Sequence, residues 1–216
     1  MGEYFSVDGG LMRFLSKASD ICIISIIWLI CCLPVVTIGA STTAAYYTIV
    51  KVVNRQRGTL FLEFIQSFKM NFKDSVVIYI IYLMVEGFLV FNIHNAYLTL
   101  ETRDSTMALY QMCLYAALLL LVMAAGIYTY PALSRFSMRK RELIRFSFVA
   151  MSRHLPVTIL LLGVFAASFA AMVWLPAGII FMPGICLYLY SRIMEPVLRN
   201  YMTEEMRLQW DGKEEE

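Results

Sequence analysis

ICIISIIWLICCLPVVTIGASTTAAYYTIV, Ile21–Val50, is thirty consecutive residues without a charge. As one helix it would measure roughly 45 Å, against a bilayer hydrocarbon core of about 30 Å. One crossing is therefore too few. Leu33-Pro34, followed by Thr37, Gly39, Ser41, Thr42 and Thr43, forms the proline, glycine and hydroxyl cluster at which a helix breaks. We read two segments, about 18–36 and 38–54, with Lys51 and Arg55 snorkelling to the interface. A re-entrant hairpin is the alternative reading of the second.

The same arithmetic applied outward gives four more segments. SVVIYIIYLMVEGFLVFNI after Asp74 reads as a span at about 75–93, and MALYQMCLYAALLLLVMAAGIYTY as one at about 107–130. Thirty-eight uncharged residues between Arg153 and Arg192 are again too many for one crossing. Trp174-Leu175-Pro176-Ala177-Gly178 divides them into about 155–174 and 177–193, the latter bent at Pro183-Gly184 and ended by Glu195-Pro196. A chain that is 60% hydrophobic and 16% charged excludes a disordered protein, a nucleic-acid-binding arm and a disulfide scaffold. The expected fold is an all-α polytopic membrane protein, about six transmembrane helices in three hairpins, forming a single domain over 1–216. Residues 1–17 form an amphipathic cytoplasmic N-terminus, and 194–216 a cytoplasmic tail.

Basic residues test this map independently of hydropathy. With both termini cytoplasmic, seventeen of the eighteen Lys and Arg face inward, and only Arg103, beside Glu101 and Asp104, faces out. Each basic segment that precedes a hairpin also carries apolar residues at helical spacing. Phe61, Phe64, Ile65, Phe68 and Phe72 share one face, with Lys69 and Lys73 off it, the pattern of a helix lying in the headgroup plane. Leu143, Phe146 and Met151, and Leu11, Phe14 and Leu15, repeat it less regularly. Three units of interfacial helix plus hairpin follow from this.

The chemistry-bearing candidates are few. Glu86 is the one acid well inside a span, and Tyr79 and Tyr82, at i−7 and i−4, share its face and can donate to it. Thr37, Ser41, Thr42 and Tyr46 enrich the start of the second segment in hydroxyls, beside small residues that let a neighbouring backbone approach. Arg135, Arg139, Lys140, Arg141 and Arg145 form a candidate contact for anionic lipid. The five cysteines lie in apolar runs and read as packed thiols. No phosphate-binding, metalloprotease or nucleophile-elbow motif occurs, so no catalytic residue, metal or cofactor is expected.

FLSKASDICIISIIWLICCLPVVTIGASTTAAYYTIVKVV, SFKMNFKDS and SRHLPVTILLL resemble the YesL family, uncharacterised integral membrane proteins of Gram-positive bacteria. Leu33–Thr42 carries the most specific part of the likeness. The resemblance implies a bacterial cytoplasmic-membrane protein working near carbohydrate uptake, and carries over no site residue. The expected function is a non-enzymatic accessory or regulatory component, with the bilayer, a carbohydrate transporter subunit or a second copy of the chain as partner, and no nucleic acid. The alternative is a small permease for a neutral solute or sugar, with Glu86 in its path.

Overall fold

A computed structural model describes residues 10–55, 57–103, 106–136, 138–175 and 178–211. These residues are almost wholly helical, and none is in a strand. The helices are α1 (Gly10–Cys31), α2 (Ile38–Thr48), α3 (Leu60–Arg103), α4 (Thr106–Arg135), α5 (Lys140–Arg153), α6 (Leu155–Trp174), α7 (Gly178–Arg199) and α8 (Glu204–Asp211). Three helices, α3, α4 and α6, are long and apolar enough to cross a membrane.

The centre of the molecule is α2, continued as a π-helical turn over Ile49–Asn54. Gly39, Ala40, Ser41, Thr43, Ala44, Ala45, Tyr46 and Thr48 are all buried. Small side chains make this possible. A Cβ on Gly39 would lie 2.8 Å from Tyr79 Cβ and 3.1 Å from the Ser75 carbonyl, so glycine sets how closely α2 approaches α3. α1 precedes α2 across a tight turn in which Pro34 prevents the helix from continuing, and Val35–Thr37 form one 3-10 turn. Gly184 of α7 packs as closely against Ile21 and Ser25 of α1, and its N–H donates to Ser25 Oγ at 2.7 Å.

α3 departs from the sequence reading. The amphipathic stretch 61–72 and the span after Asp74 form one continuous helix, so 61–72 is not a separate interfacial helix. No proline or glycine lies between Leu60 and Glu86 to bend it. Phe64 is 1% exposed and joins the buried core, with Ile65 and Phe68 packed partly against it, whereas Phe61 and Phe72 are exposed, so protein covers the middle of the stripe and leaves its ends uncovered. α1 likewise runs through Lys17 and Asp20 without a break. The side chains of Leu11 and Phe14 lie outside the described residues.

α4 runs to Arg135 rather than ending near residue 130, with Pro131 inside it. Proline has no N–H for the Ile127 carbonyl four residues back. The buried Tyr190 hydroxyl of α7 donates to that carbonyl instead, the kind of repair by a neighbouring helix that lets proline sit inside a bundle. α5 and α6 are separated only at His154, whose backbone (φ −119°, ψ 46°) leaves the helical region just before Leu155-Pro156. Thr158 closes that break by donating to the His154 carbonyl and pairing with the Tyr128 hydroxyl at 2.9 Å.

α7 also continues beyond its expected end, through Glu195-Pro196 to Arg199. Of the turn expected after Trp174, Pro176 and Ala177 lie outside the described residues, as do 1–9 and 212–216 of the expected cytoplasmic ends. The described helices thus follow one another as α1 and α2, α3 and α4, and α6 and α7, each pair antiparallel. Trp28 meets Thr42 in the first pair, Tyr82 meets Thr129 in the second, and Phe165 meets Tyr190 in the third.

Candidate functional site

The strongest concentration of charge inside the molecule lies where α2, α4 and α7 converge. Arg135, on the last turn of α4, donates to Glu195 Oε2 of α7 at 2.7 Å, and its side chain is 1% exposed. Arg55, just past the π turn, donates to Glu195 Oε1 at 3.2 Å. Tyr46 donates its hydroxyl to Glu195 Oε2 at 3.3 Å, while the Arg135 guanidinium lies 5.9 Å from the Tyr46 ring centre.

This corrects one reading. Arg135 is not a lipid contact, because the helix carries it into the core beside Glu195. Lys140 pairs with Asp74 at 3.1 Å, and Arg139, just before α5, is exposed, as are Arg141 and Arg145 on it. Beside the network, Asn54 Nδ2 donates to Ser191 Oγ at 3.1 Å, and Lys51 donates to Glu63 at 2.7 Å.

Two cavities flank Glu195 and Arg135. One, of about 360 Å³, is lined by Tyr47, Ser67, Asn71, Asp74, Ser134 and Arg135, among others. The second, of about 230 Å³, includes Asn54, Arg55, Ser191, Arg192, Glu195 and Arg199. Amide, hydroxyl and charged groups line the first, a lining able to hold a small polar solute, whereas Val50 and Pro196 make the second largely apolar. Among the described residues, no three His, Cys, Asp or Glu side chains are placed to hold a metal.

The predicted intramembrane residues form a different picture from the one expected. Tyr82 bonds Thr129 at 2.9 Å rather than Glu86, and Thr129 in turn meets Ser147 of α5 at 2.9 Å. Glu86 lies within electrostatic reach of Tyr79, Tyr82 and Tyr130, yet it lines neither cavity. The hydroxyls of α2 are consumed locally. Ser41, Thr42, Thr43 and Thr48 each donate to the carbonyl four residues back, at 2.8–2.9 Å. Thr37 Oγ1 lies 2.5 Å from the Cys31 carbonyl and 2.6 Å from that of Pro34.

Glu195 as a site residue and Tyr190 are not among the residues that the sequence reading singles out; Tyr46 is, as one of the hydroxyls at the start of the second segment. A signal was present for Glu195. Leu187, Tyr190, Ser191, Met194 and Leu198 continue one helical stripe past Arg192, and the acid sits beside that stripe. Its partners come from distant elements, which no spacing rule reaches.

No curated protein and no solved structure matches the chain. Residues 21–93, from the apolar arm of α1 through α2 and most of α3, match a family model described as a protein of unknown function, DUF624.

Proposed function

We propose that this chain is a multi-pass protein of a bacterial cytoplasmic membrane, with three helical hairpins inserted from the cytoplasmic side. It acts there as a non-enzymatic accessory or regulatory component alongside carbohydrate uptake. The membrane reading rests on the three long apolar helices, and the orientation on the one-sided distribution of Lys and Arg. The place beside carbohydrate uptake rests on the sequence resemblance.

One observation favours an accessory over a permease. The Ser and Thr side chains of the central helix α2 have no proton left to donate to a passing solute, because each is bonded to the helix's own carbonyls. The two cavities and the Glu195 network lie instead at the end of the bundle that carries the basic residues, where a cytoplasmic partner or solute has access. Exposed Arg139, Arg141 and Arg145 serve as contacts for anionic headgroups, at roughly 1 kcal/mol each.

Two experiments on the full chain test this. Affinity purification from the native membrane is expected to retain a transporter subunit. Proteoliposomes of the purified protein are expected to show no solute flux above empty vesicles. Flux that disappears in Glu86→Gln would overturn the accessory reading and establish the permease.

A further inference from the structure

The α1–α2 hairpin is shorter than a bilayer crossing. Between Asp20 and the end of α1 there are eleven uncharged residues, Ile21–Cys31, and α2 with its π turn has thirteen, Ile38–Val50, before Lys51. Each arm is therefore about 17–20 Å long, against a hydrocarbon core of about 30 Å. The neighbouring helices agree. Gly39, in the first turn of α2, packs against Ser75 and Tyr79 of α3 and against Tyr130 of α4. From Tyr79, α3 continues to Arg103, roughly 36 Å beyond the level at which α2 begins.

The tip is built for an apolar surrounding. Leu33, Val35 and Val36 are 80%, 56% and 49% exposed, where a turn emerging into water carries polar residues. The carbonyls of Cys31 and Pro34 are taken by Thr37, as a turn at membrane depth requires.

Over this short hairpin, between α4, α6 and α7, lies a cavity of about 710 Å³ lined by residues including Trp28, Leu120, Met123, Phe165, Phe169 and Cys186. Its polar side chains are already engaged. Trp28 Nε1 donates to Thr42 at 3.2 Å, Thr42 to the Ile38 carbonyl, and Ser168 to the Val164 carbonyl. The cavity opens sideways through exposed Leu120, Met123 and Phe169 onto the apolar faces of α4 and α6. Water would find no partners in it.

We infer that α1–α2 is a re-entrant hairpin and that the acyl chain of a bilayer lipid fills the cavity above it. The occupant follows from continuity, since the surface onto which the cavity opens is the one that lipid chains cover. This rests on the membrane reading above, which recovery of the protein in floated vesicles checks separately.

The test uses Trp28. The chain has three tryptophans, so Trp174→Phe with Trp210→Phe leaves Trp28 as the sole fluorophore. The full chain is reconstituted in phosphatidylethanolamine–phosphatidylglycerol vesicles with or without brominated acyl chains. Bromination at mid-chain is expected to lower Trp28 emission at least about twofold, because the indole lies within the hydrocarbon, while external iodide leaves it unchanged. Gly163→Phe, at a cavity position where an added Cβ meets open space, is expected to restore most of the emission. Ala166→Leu, on the same wall, gives the same readout if Gly163→Phe fails to fold. Gly87→Phe, equally open but on α3, is expected to restore none. Outside labelling by an impermeant maleimide of Leu33→Cys, in a chain whose five native cysteines are replaced by alanine, would place the tip at the outer surface and overturn the re-entrant hairpin. Bromolipid quenching that survives filling of the cavity would overturn the acyl-chain site.

Discussion

Tyr190 and Pro131 illustrate how single side chains decide the packing of this bundle. Pro131 leaves the Ile127 carbonyl without its helical partner, and the Tyr190 hydroxyl of α7 takes it. Tyr190→Phe keeps the ring contacts with Tyr46 and Phe165 and strands that carbonyl. The expected cost is about 1–3 kcal/mol, read as a lower melting temperature in detergent. Glu195 has the opposite character. Glu195→Gln leaves the buried Arg135 guanidinium without its carboxylate, at an expected cost of about 3–5 kcal/mol, and adding Arg135→Met recovers much of it. A double-mutant cycle on melting temperature checks this, and independent, additive effects would refute the coupling. Gly39→Ala is expected to destabilise by about 1–3 kcal/mol, because the added methyl meets the α3 backbone. Gly87→Ala, with open space around it, is expected to be neutral or slightly stabilising.

Among the elements, α3 carries the clearest disagreement between periodicity and packing. The aromatic stripe at 61–72 was read as facing headgroups, and the rule behind that reading cannot tell a lipid surface from a neighbouring helix. The tertiary fold divides the stripe, since Phe64 is buried while Phe61 and Phe72 are exposed. A straight α3 places spin labels at Leu62 and Met84, both exposed, about 33 Å apart. A right-angle bend at Asp74 would bring them to about 23 Å, so double electron–electron resonance separates the two. The limits of α6, Leu155–Trp174, were legible in advance because Pro156 and the uncharged run mark them in the sequence itself. The far end of α7 was not, because a helix carrying Pro196 continues only where neighbouring side chains hold it.

For the whole molecule, the proposed orientation rests on the division of Lys and Arg along the chain. Cysteines introduced at Thr102 and at Arg139 are expected to react with an impermeant maleimide from opposite sides of the membrane. Labelling of both from one side would refute the topology. Either depth of the α1–α2 hairpin keeps this orientation, since a hairpin returns to the side it entered.

Composition and the spacing of charges along the chain determined by themselves that this is a helical protein with several apolar helices, and where the breaks at Pro34 and Leu175 fall. They could do so because hydrophobic run length and proline act locally. Tertiary structure alone decided that Arg135 faces Glu195 rather than lipid and that Tyr82 turns to Thr129 instead of Glu86. Each of these depends on which distant side chain reaches a buried polar group first, and burial makes that choice binding because an unpaired polar atom there costs as much as several favourable contacts return.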